Sequence, residues 1–218
     1  EYLRSATYDD LLDIALRCER IGTSSVQFRA AVFRRGELLV SGELVQVYAD
    51  PHTQTARPVP SALRAVFEAY EAGEPMVEVQ VGAWDTLGAA ASALRRAVFV
   101  DEQKVPAEME WDAEDAHCVH AVAHNRLGVP LATGRLLQDG PGVARIGRMA
   151  VALPARGTGV GRVVLDALMN AARGRGDRAA VLSAQVSAVR FYQRAGFREQ
   201  GPVYDEVGIA HVDMARAL

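Results

Sequence analysis

Cysteine is nearly missing from this chain: Cys18 and Cys118 are the only two among 218 residues, far apart and with no CxxC pair. That excludes a disulfide framework and leaves free thiols in a reducing compartment as the expectation. An excess of one charge is missing as well. With 24 Lys and Arg against 27 Asp and Glu, the net charge is −3, which excludes the broad basic field of non-specific nucleic-acid binding. No stretch reaches the roughly 18 apolar residues of a membrane helix, and the opening EYLRSATYDD has neither the basic start nor the apolar middle of a secretory signal. A cytoplasmic protein with no membrane and no nucleic-acid partner is expected. The first residue is Glu rather than Met, which reads as a chain that begins inside a longer protein. What the sequence does have is apolar content: 50% of residues are hydrophobic, enough for a sizeable core in at least one domain.

Internal repeats and low-complexity blocks are absent too, so organisation is read from patterning. The segment ADPHTQTARPVP (49–60) concentrates proline and polar residues between two patterned regions and reads as a connection. Before it, residues 23–33, 37–50 and, less regularly, 10–20 alternate as strands do, with Arg34-Arg35-Gly36 as a turn, which predicts an antiparallel meander. After it, Leu63, Val66, Phe67 and Tyr70 have helical spacing, with Ser61 as the cap and Gly73 as the stop. The boundary expected from this pattern separates a domain 1–72 from a domain 73–218.

The second domain opens on the strand MVEVQVGAW and a helix capped by Asp85, with Leu87, Ala91, Leu94 and Val98 on one face. The run DEQKVPAEMEWDAEDAH (101–117) is crowded with carboxylates against a single lysine and reads as a solvated loop, which Met109 and Trp111 fit poorly. Strands VHAVAH, LATGRLLQ, VARIGRMAV and AAVLSAQ, a short helix SAVRFYQRA stopped by Gly196, and closing strands around FREQG and GIAHVDM complete the chain. The mixed βαβββαβαββ order predicts an α+β sheet domain with flanking helices rather than a doubly wound one.

Between two of these elements, Gly157, Gly159 and Gly161 precede a helix with Val160, Val164, Leu168 and Ala171 on its apolar face. Glycines let consecutive N–H groups converge and let a ligand approach the main chain, and a helix N-terminus adds partial positive charge, so the segment reads as an anion cradle. Arg162 breaks the dinucleotide fingerprint GxGxxG, and no Lys-Ser/Thr follows to make a P-loop. Arg156-Gly157-Thr158-Gly159-Val160-Gly161 resembles the Arg/Gln-x-x-Gly-x-Gly/Ala loop with which GNAT N-acetyltransferases bind the pyrophosphate of acetyl-CoA. FYQRAGF (191–197) is similar to the family's closing FYxxxGF segment, and RIGRMAV, VFVDEQKVP and GIAHVDM resemble a small bacterial branch of it. The resemblance covers 77–218. Gln185 stands where many members carry Asn.

This resemblance implies acetyl-CoA as acyl donor, held by Arg156, Gly157, Thr158, Gly159, Val160 and Gly161, with Gln185 beside it and main-chain groups of Met149 and Val151 on the pantetheine. It implies Tyr192 as the general acid for the leaving thiolate; on residue type alone, Tyr192 could equally be a core aromatic. An amine must also lose a proton before attack. Candidates are Glu102, Glu108, Glu110, Asp112, Asp115, His117 and His120, and the acidic run would attract a cationic amine. Glu102 ranks first, because partial burial after an apolar helix end would raise its pKa. HCVH (117–120) invites comparison with a metal site or a thiol–imidazole pair, but no second ligand cluster accompanies it and no metal is expected.

The first region, 1–72, resembles the later strands of hotdog-fold acyl-CoA thioesterases, whose YLxPAxYDD segment leads into a long antiparallel sheet; the first strand, central helix and acidic residue of that fold are missing. An apolar sheet face would therefore be left uncovered, which implies truncation, a partner chain or a preceding segment. The leading expectation is an acetyl-CoA-dependent N-acyltransferase acting on a small-molecule or peptide amine in a ternary complex. A bifunctional thioesterase/acetyltransferase, a non-catalytic acyl-CoA sensor, and a homodimer formed through the hotdog part are the alternatives.

Overall fold

Apolar–polar alternation builds three antiparallel strands near the start of the chain, β1 (Asp13–Ile21), β2 (Ser25–Arg34) and β3 (Glu37–Val47), paired in the order β1-β2-β3. The computed structural model describes all of residues 1–218 and divides them into two units, Glu1–Met76 and Val77–Leu218. In the first, Ile14 and Leu16 stand in register with Val32 and Ala30, which face Val40 and Gly42 on β3, so one side of the sheet is apolar. Helix α1 (Ser61–Glu71) packs on it through Phe67, edge-on to Phe28 at 5.5 Å, and Arg64 donates to the Ile21 and Gly22 carbonyls at 3.0 and 2.7 Å. That cover is partial: Ile14, Leu16 and Leu44 remain exposed. Ser61 lies inside α1 rather than capping it, since Pro60 occupies the cap position and no side chain bonds there. Pro at the cap supplies a fixed φ in place of a side-chain acceptor.

The second unit is a seven-stranded sheet in the order β4-β5-β6-β7-β8-β10-β9. Its strands are β4 (Val77–Gly82), β5 (Val119–Asn125), β6 (Pro130–Gly140), β7 (Val143–Val151), β8 (Ala179–Gln185), β9 (Arg198–Glu206) and β10 (Ile209–Ala217). Every pairing is antiparallel except β7 with β8. On one face lies α4 (Val160–Arg175), burying Val160, Val164, Leu165, Leu168 and Met169 against Ala121, Leu136, Ile146 and Leu182. Each of those larger side chains contributes roughly 1.5–3 kcal/mol of transfer free energy. The short helix α5 (Val189–Arg194) joins the same core through Tyr192. On the other face lies α2 (Trp84–Arg95), whose Leu87, Ala91 and Leu94 cover Val122. Asp85 sits in the first turn of α2 rather than capping it; Ala83 holds the cap position, and the carboxylate acts on the helix dipole alone.

Two features of this unit were not expected. Helix α2 runs on into a π-helical turn, Arg96–Glu102, closed by the Gln103 N–H on the Val98 carbonyl at 3.0 Å. The acidic run that follows is not a solvated loop. It folds into a short helix α3 (Ala107–Glu110) and a 3₁₀ turn Ala113–Ala116, with Glu110 and Asp115 only 3% and 4% exposed.

Strands β7 and β8 pair in parallel only where Val143, Ala144 and Arg145 meet Ala179, Ala180 and Val181, and then part. The cause lies in β7. Thr133 and Arg135 of β6 oppose Ala150 and Gly147, so β7 carries an extra residue, with Arg148 in the left-handed region at φ 51°. The bulge sends the Met149 side chain across Gly134, where any Cβ would collide with its sulfur and would stand 2.9 Å from Leu168 Cδ1. Glycine at 134 is thus a packing requirement of the bulge, and the bulge opens a gap beside a sheet edge.

Candidate functional site

Chain leaves β7 through the turn Leu153–Ala155 and enters α4 through the glycine loop. Gly157 and Gly159 both take left-handed φ, 81° and 89°, which a side chain would strain; Gly159 is the residue at the α4 cap. A Cβ on Gly161 would come within 3.1 Å of Val151 Cγ2, so the first turn of α4 lies close to the end of β7. The Val160 side chain is buried, which leaves only its N–H to serve a ligand, and first-turn N–H groups lack intrahelical partners. The Thr158 hydroxyl is committed within the loop, donating to the Ala155 carbonyl at 2.7 Å.

Arg156 spans the mouth of this loop. Its Nε donates to the Val151 carbonyl at 3.1 Å, and its two terminal nitrogens meet both Glu102 oxygens at 2.7 Å each. The expectation that burial raises the Glu102 carboxyl is overturned here. The carboxylate is exposed at the end of the π turn, and the Arg156 hydrogen bonds hold it below the ordinary carboxylate range. An ion-paired carboxylate of that kind is a poor proton acceptor. Its neighbour Gln103 reaches the other side of the gap, where Gln185 at the end of β8 donates to it at 2.9 Å. Adjacent residues of one segment therefore bind both the glycine loop and the β8 end.

Inside the gap is a cleft of about 380 Å³. Arg145 and Gly147 of β7, Ser183 and Gln185 of β8 and His211 of β10 border it, and Phe99, Val105, Met109 and Glu110 close it from above. Tyr192 also borders it, although the ring belongs to the α4-side core, stacked edge-on with Phe191 at 4.9 Å and Phe197 at 6.0 Å. Burial pushes the Tyr192 phenol up to about 12, so it stays protonated at neutral pH. Met149 lines the cleft as well, and Val151 lies beyond it where β7 has no strand neighbour on the β8 side.

Behind the cleft, charges that look solvated in the sequence are paired, and Arg95, Glu110, Asp115 and Arg135 among them are buried. Arg95, 1% exposed, donates through Nε to Glu110 at 2.5 Å and through its two terminal nitrogens to Asp115 at 2.7 and 3.0 Å, beside the rings of Trp84 and Trp111. Arg135 grips Asp112 with two bonds of 2.6 Å and Asp115 with one of 2.8 Å. Arg148 reaches the Glu110 main-chain carbonyl at 3.3 Å and Asp112 at 3.4 Å. Three guanidinium groups thus neutralise Glu110, Asp112 and Asp115, so these carboxylates do not provide the free negative field expected of the acidic run. Burial raises the Glu110 carboxyl against the pull of Arg95 and Arg148. For Asp115, burial opposes but the bonds from Arg95 and Arg135 prevail, and its carboxyl lies below the ordinary value.

Asp115, Cys118 and His120 bring one ligand atom each within 4.8 Å of the others. The Asp115 oxygens are already taken by arginines. His120 Nε2 points at the Asp115 carbonyl at 2.9 Å, an oxygen that can only accept, so that nitrogen carries hydrogen. Burial pushes the Cys118 thiol up to about 11. The group holds the turn to β5. Glu108, Glu114 and His117 lie exposed.

Arg95, Arg135, Arg148, Glu206 and His211 escaped the sequence reading. Arg95 had a signal: it falls four residues after Ala91 and eight after Leu87, on the apolar stripe of α2, where a charge demands a buried partner.

The comparisons agree with this geometry. An acetyltransferase (GNAT) domain model matches residues 81–218. An acyl-CoA N-acyltransferase from Pseudomonas aeruginosa is 35% identical, with a TM-score of 0.58, over 65% of this chain and 99% of that one. Escherichia coli ElaA is 30% identical, with a TM-score of 0.59, over 65% and 99%. A candidate N-acetyltransferase from Lactobacillus plantarum is 34% identical, with a TM-score of 0.62, over 66% and 99%. No helix is long and apolar enough to cross a membrane. A parted parallel strand pair beside a glycine loop, a matching domain model over most of the chain and relatives covered almost end to end lead to one conclusion: the chain belongs to the GNAT family and is a GNAT-type N-acetyltransferase.

Proposed function

We propose that this chain moves an acetyl group from acetyl-CoA to a primary amine of a small molecule or peptide, by direct attack in a ternary complex. The observation that carries the reading is the gap between β7 and β8, with the glycine loop at one end and Tyr192 at its side. The pyrophosphate takes the Gly157–Gly161 main chain and Arg156, pantetheine lies along the free edge of β7 at Met149 and Val151 as an added strand would, and Gln185 borders the thioester. Tyr192 donates to the departing sulfur. The test is acetyl-CoA binding followed by thiol release with a panel of primary amines. Binding without amine-dependent release would favour the sensor instead, and hydrolysis without amine would favour a thioesterase.

Arg156 meets that donor already occupied, because Glu102 fills its fork with the same charge and planar geometry that a phosphate offers. Acetyl-CoA must displace this carboxylate. Glu102→Gln is therefore expected to tighten acetyl-CoA binding by roughly two- to five-fold, the scale of one surface ion pair. Calorimetric titration checks this; weaker binding in the variant would mean that Glu102 supports the loop rather than competing for it.

The first unit supports a second, separate reading. Its exposed Ile14 and Leu16 lie on β1, which has a strand neighbour on one side only, an arrangement suited to pairing with a second copy of a hotdog-like sheet. If so, Leu16→Glu should convert dimers to monomers in light scattering. A wild-type chain that is already monomeric at micromolar concentration would end that reading.

A further inference from the structure

The acetyl-transfer reading leaves one proton unassigned. A primary amine resembling lysine titrates near 10.4 and enters as ammonium at neutral pH, so a group in the cleft has to take a proton before nitrogen can attack. Glu102, even once acetyl-CoA displaces it from Arg156, is not among the residues that border the cleft, and Asp112 and Asp115 are held by arginines. The cleft offers three further groups that could accept a proton: Glu110, Glu206 and His211. Glu110 lies between Arg95 at 2.5 Å and Arg148 at 3.5 Å. Burial raises its carboxyl, but each of its two oxygens faces a guanidinium, which commits it to the ion cluster.

His211 is differently arranged. Its Nδ1 lies 2.8 Å from the Ile209 carbonyl, and because that oxygen can only accept, Nδ1 carries the hydrogen. In the neutral ring, Nε2 is then the nitrogen with the free lone pair, and no protein group bonds to it. The ring is held on two sides, by the Ile209 carbonyl and by Tyr204. Its strand position is in register with Gln185 of β8 and Tyr204 of β9, and its plane stacks on Tyr204 at 6.2 Å and 25°. Tyr204 is itself anchored through its hydroxyl to Asp213 at 2.9 Å, which also accepts from Ser183 at 2.8 Å. Strand alternation sets the direction: Val212 and Met214 point into the α4-side core, so His211 points to the cleft side. Glu206, at the end of β9, brings a carboxylate oxygen to 4.0 Å from Nδ1 and lines the same cleft. The other charged groups around the cleft are Arg135, Arg145 and Arg148 of the β6–β7 pair and Glu110 of α3; Arg145 is bound to Asp139 at 2.6 Å and the rest belong to the ion cluster.

We infer that His211 is the general base of this acyl transfer, with Glu206 behind it as the charge that draws in the cationic amine and steadies the imidazolium. Nε2 takes one proton from the ammonium and passes it to solvent. The nitrogen lone pair then forms the C–N bond at the thioester carbonyl, and the C–S bond breaks with its electron pair on sulfur. Sulfur leaves as the thiol, taking a proton through Tyr192 while the second proton of nitrogen returns to that phenol. The products are an amide, CoA thiol and one released proton.

This inference rests on the acetyl-transfer reading, and the experiment separates the two. The full chain is assayed with acetyl-CoA and the amine panel across pH, by free thiol. In the wild type, kcat/KM should rise with pH through a single ionisation. His211→Gln should remove that ionisation and lower turnover about 10²- to 10⁴-fold, with the acetyl-CoA Kd unchanged. His211→Asn, which keeps a donor for the Ile209 carbonyl but no base, should behave alike, and a weakly basic amine that is already neutral should recover most of the rate in both. Glu206→Gln should raise the KM for cationic amines and not for that neutral one. Variants that keep the wild-type pH profile and rate overturn His211 alone. A wild type that releases no thiol with any amine overturns the acetyl-transfer reading and this inference together.

Discussion

Arg95→Met is expected to destabilise the second unit by about 3–5 kcal/mol, because it removes one partner from a buried ion cluster and leaves two carboxylates behind without it. The side chains concerned are 1% exposed for Arg95, 4% for Glu110 and 6% for Asp115, so water cannot replace the lost bonds. Methionine would still fill much of the space between Trp84 and Trp111, which separates the charge effect from a simple cavity. Those are the only two tryptophans in the chain, and both flank Arg95. Tryptophan fluorescence in urea therefore reports this unit's transition directly, and the midpoint should fall with little change in slope. A loss below about 1 kcal/mol would mean that the cluster is solvated and that its bonds are worth no more than surface pairs.

The same cluster sets an acid limit. The Asp115 and Asp112 carboxyls are lowered in the folded chain, so the stability they lend is present above the ordinary carboxylate pKa near 3.9 and is lost as pH falls through their lowered folded values. Glu110, raised by burial, runs the other way and favours the fold most where it is protonated. In Arg95→Met, Asp115 keeps only Arg135, so unfolding by acid should begin at higher pH than in the wild type.

How much of this was legible in the sequence follows from how far apart the interacting residues lie. The apolar stripes of α2 and α4 and the glycine loop are local signals, readable within a few turns, and the structure buries the expected Leu87, Ala91 and Leu94 in one cluster, with Val98 buried in the π turn beyond α2. Ser61 and Asp85 carry the side-chain signal of caps, yet Pro60 and Ala83 occupy those positions and no side chain bonds there. The acidic run misled for the opposite reason. Its composition is that of a solvated loop, and only the tertiary fold brings Arg95, Arg135 and Arg148 onto it from α2, β6 and β7. The parting of β7 from β8 was equally hidden, since it depends on a missing side chain at Gly134 fitting Met149 across a ladder. His211 lies on a strand whose pattern the sequence shows, yet its value depends on the Ile209 carbonyl fixing its tautomer.

Tyr192→Phe is expected to lower turnover by about 10²- to 10⁴-fold while leaving acetyl-CoA affinity unchanged. The ring supplies the packing, wedged edge-on between Phe191 and Phe197, and phenylalanine keeps it. Only the hydroxyl is lost, and no hydrogen bond within the protein uses it, so the fold should not register its removal. Its acidity constrains what it can do. A phenol pushed up to about 12 is a much weaker acid than a thiol, which titrates near 8.5. Outright transfer to the departing thiolate would be uphill, so the hydroxyl acts by donating a hydrogen bond to the developing charge and by passing the proton on only as the amine nitrogen replaces it. Two measurements check this. Single-turnover kinetics should show the loss in the chemical step, with binding intact; a variant that loses stability and affinity together would make Tyr192 a core residue and nothing more. A thioester with a more acidic leaving thiol needs less help at sulfur, so it should restore Tyr192→Phe far more than it speeds the wild type. Equal acceleration of both would remove Tyr192 from the sulfur and leave water as the donor there.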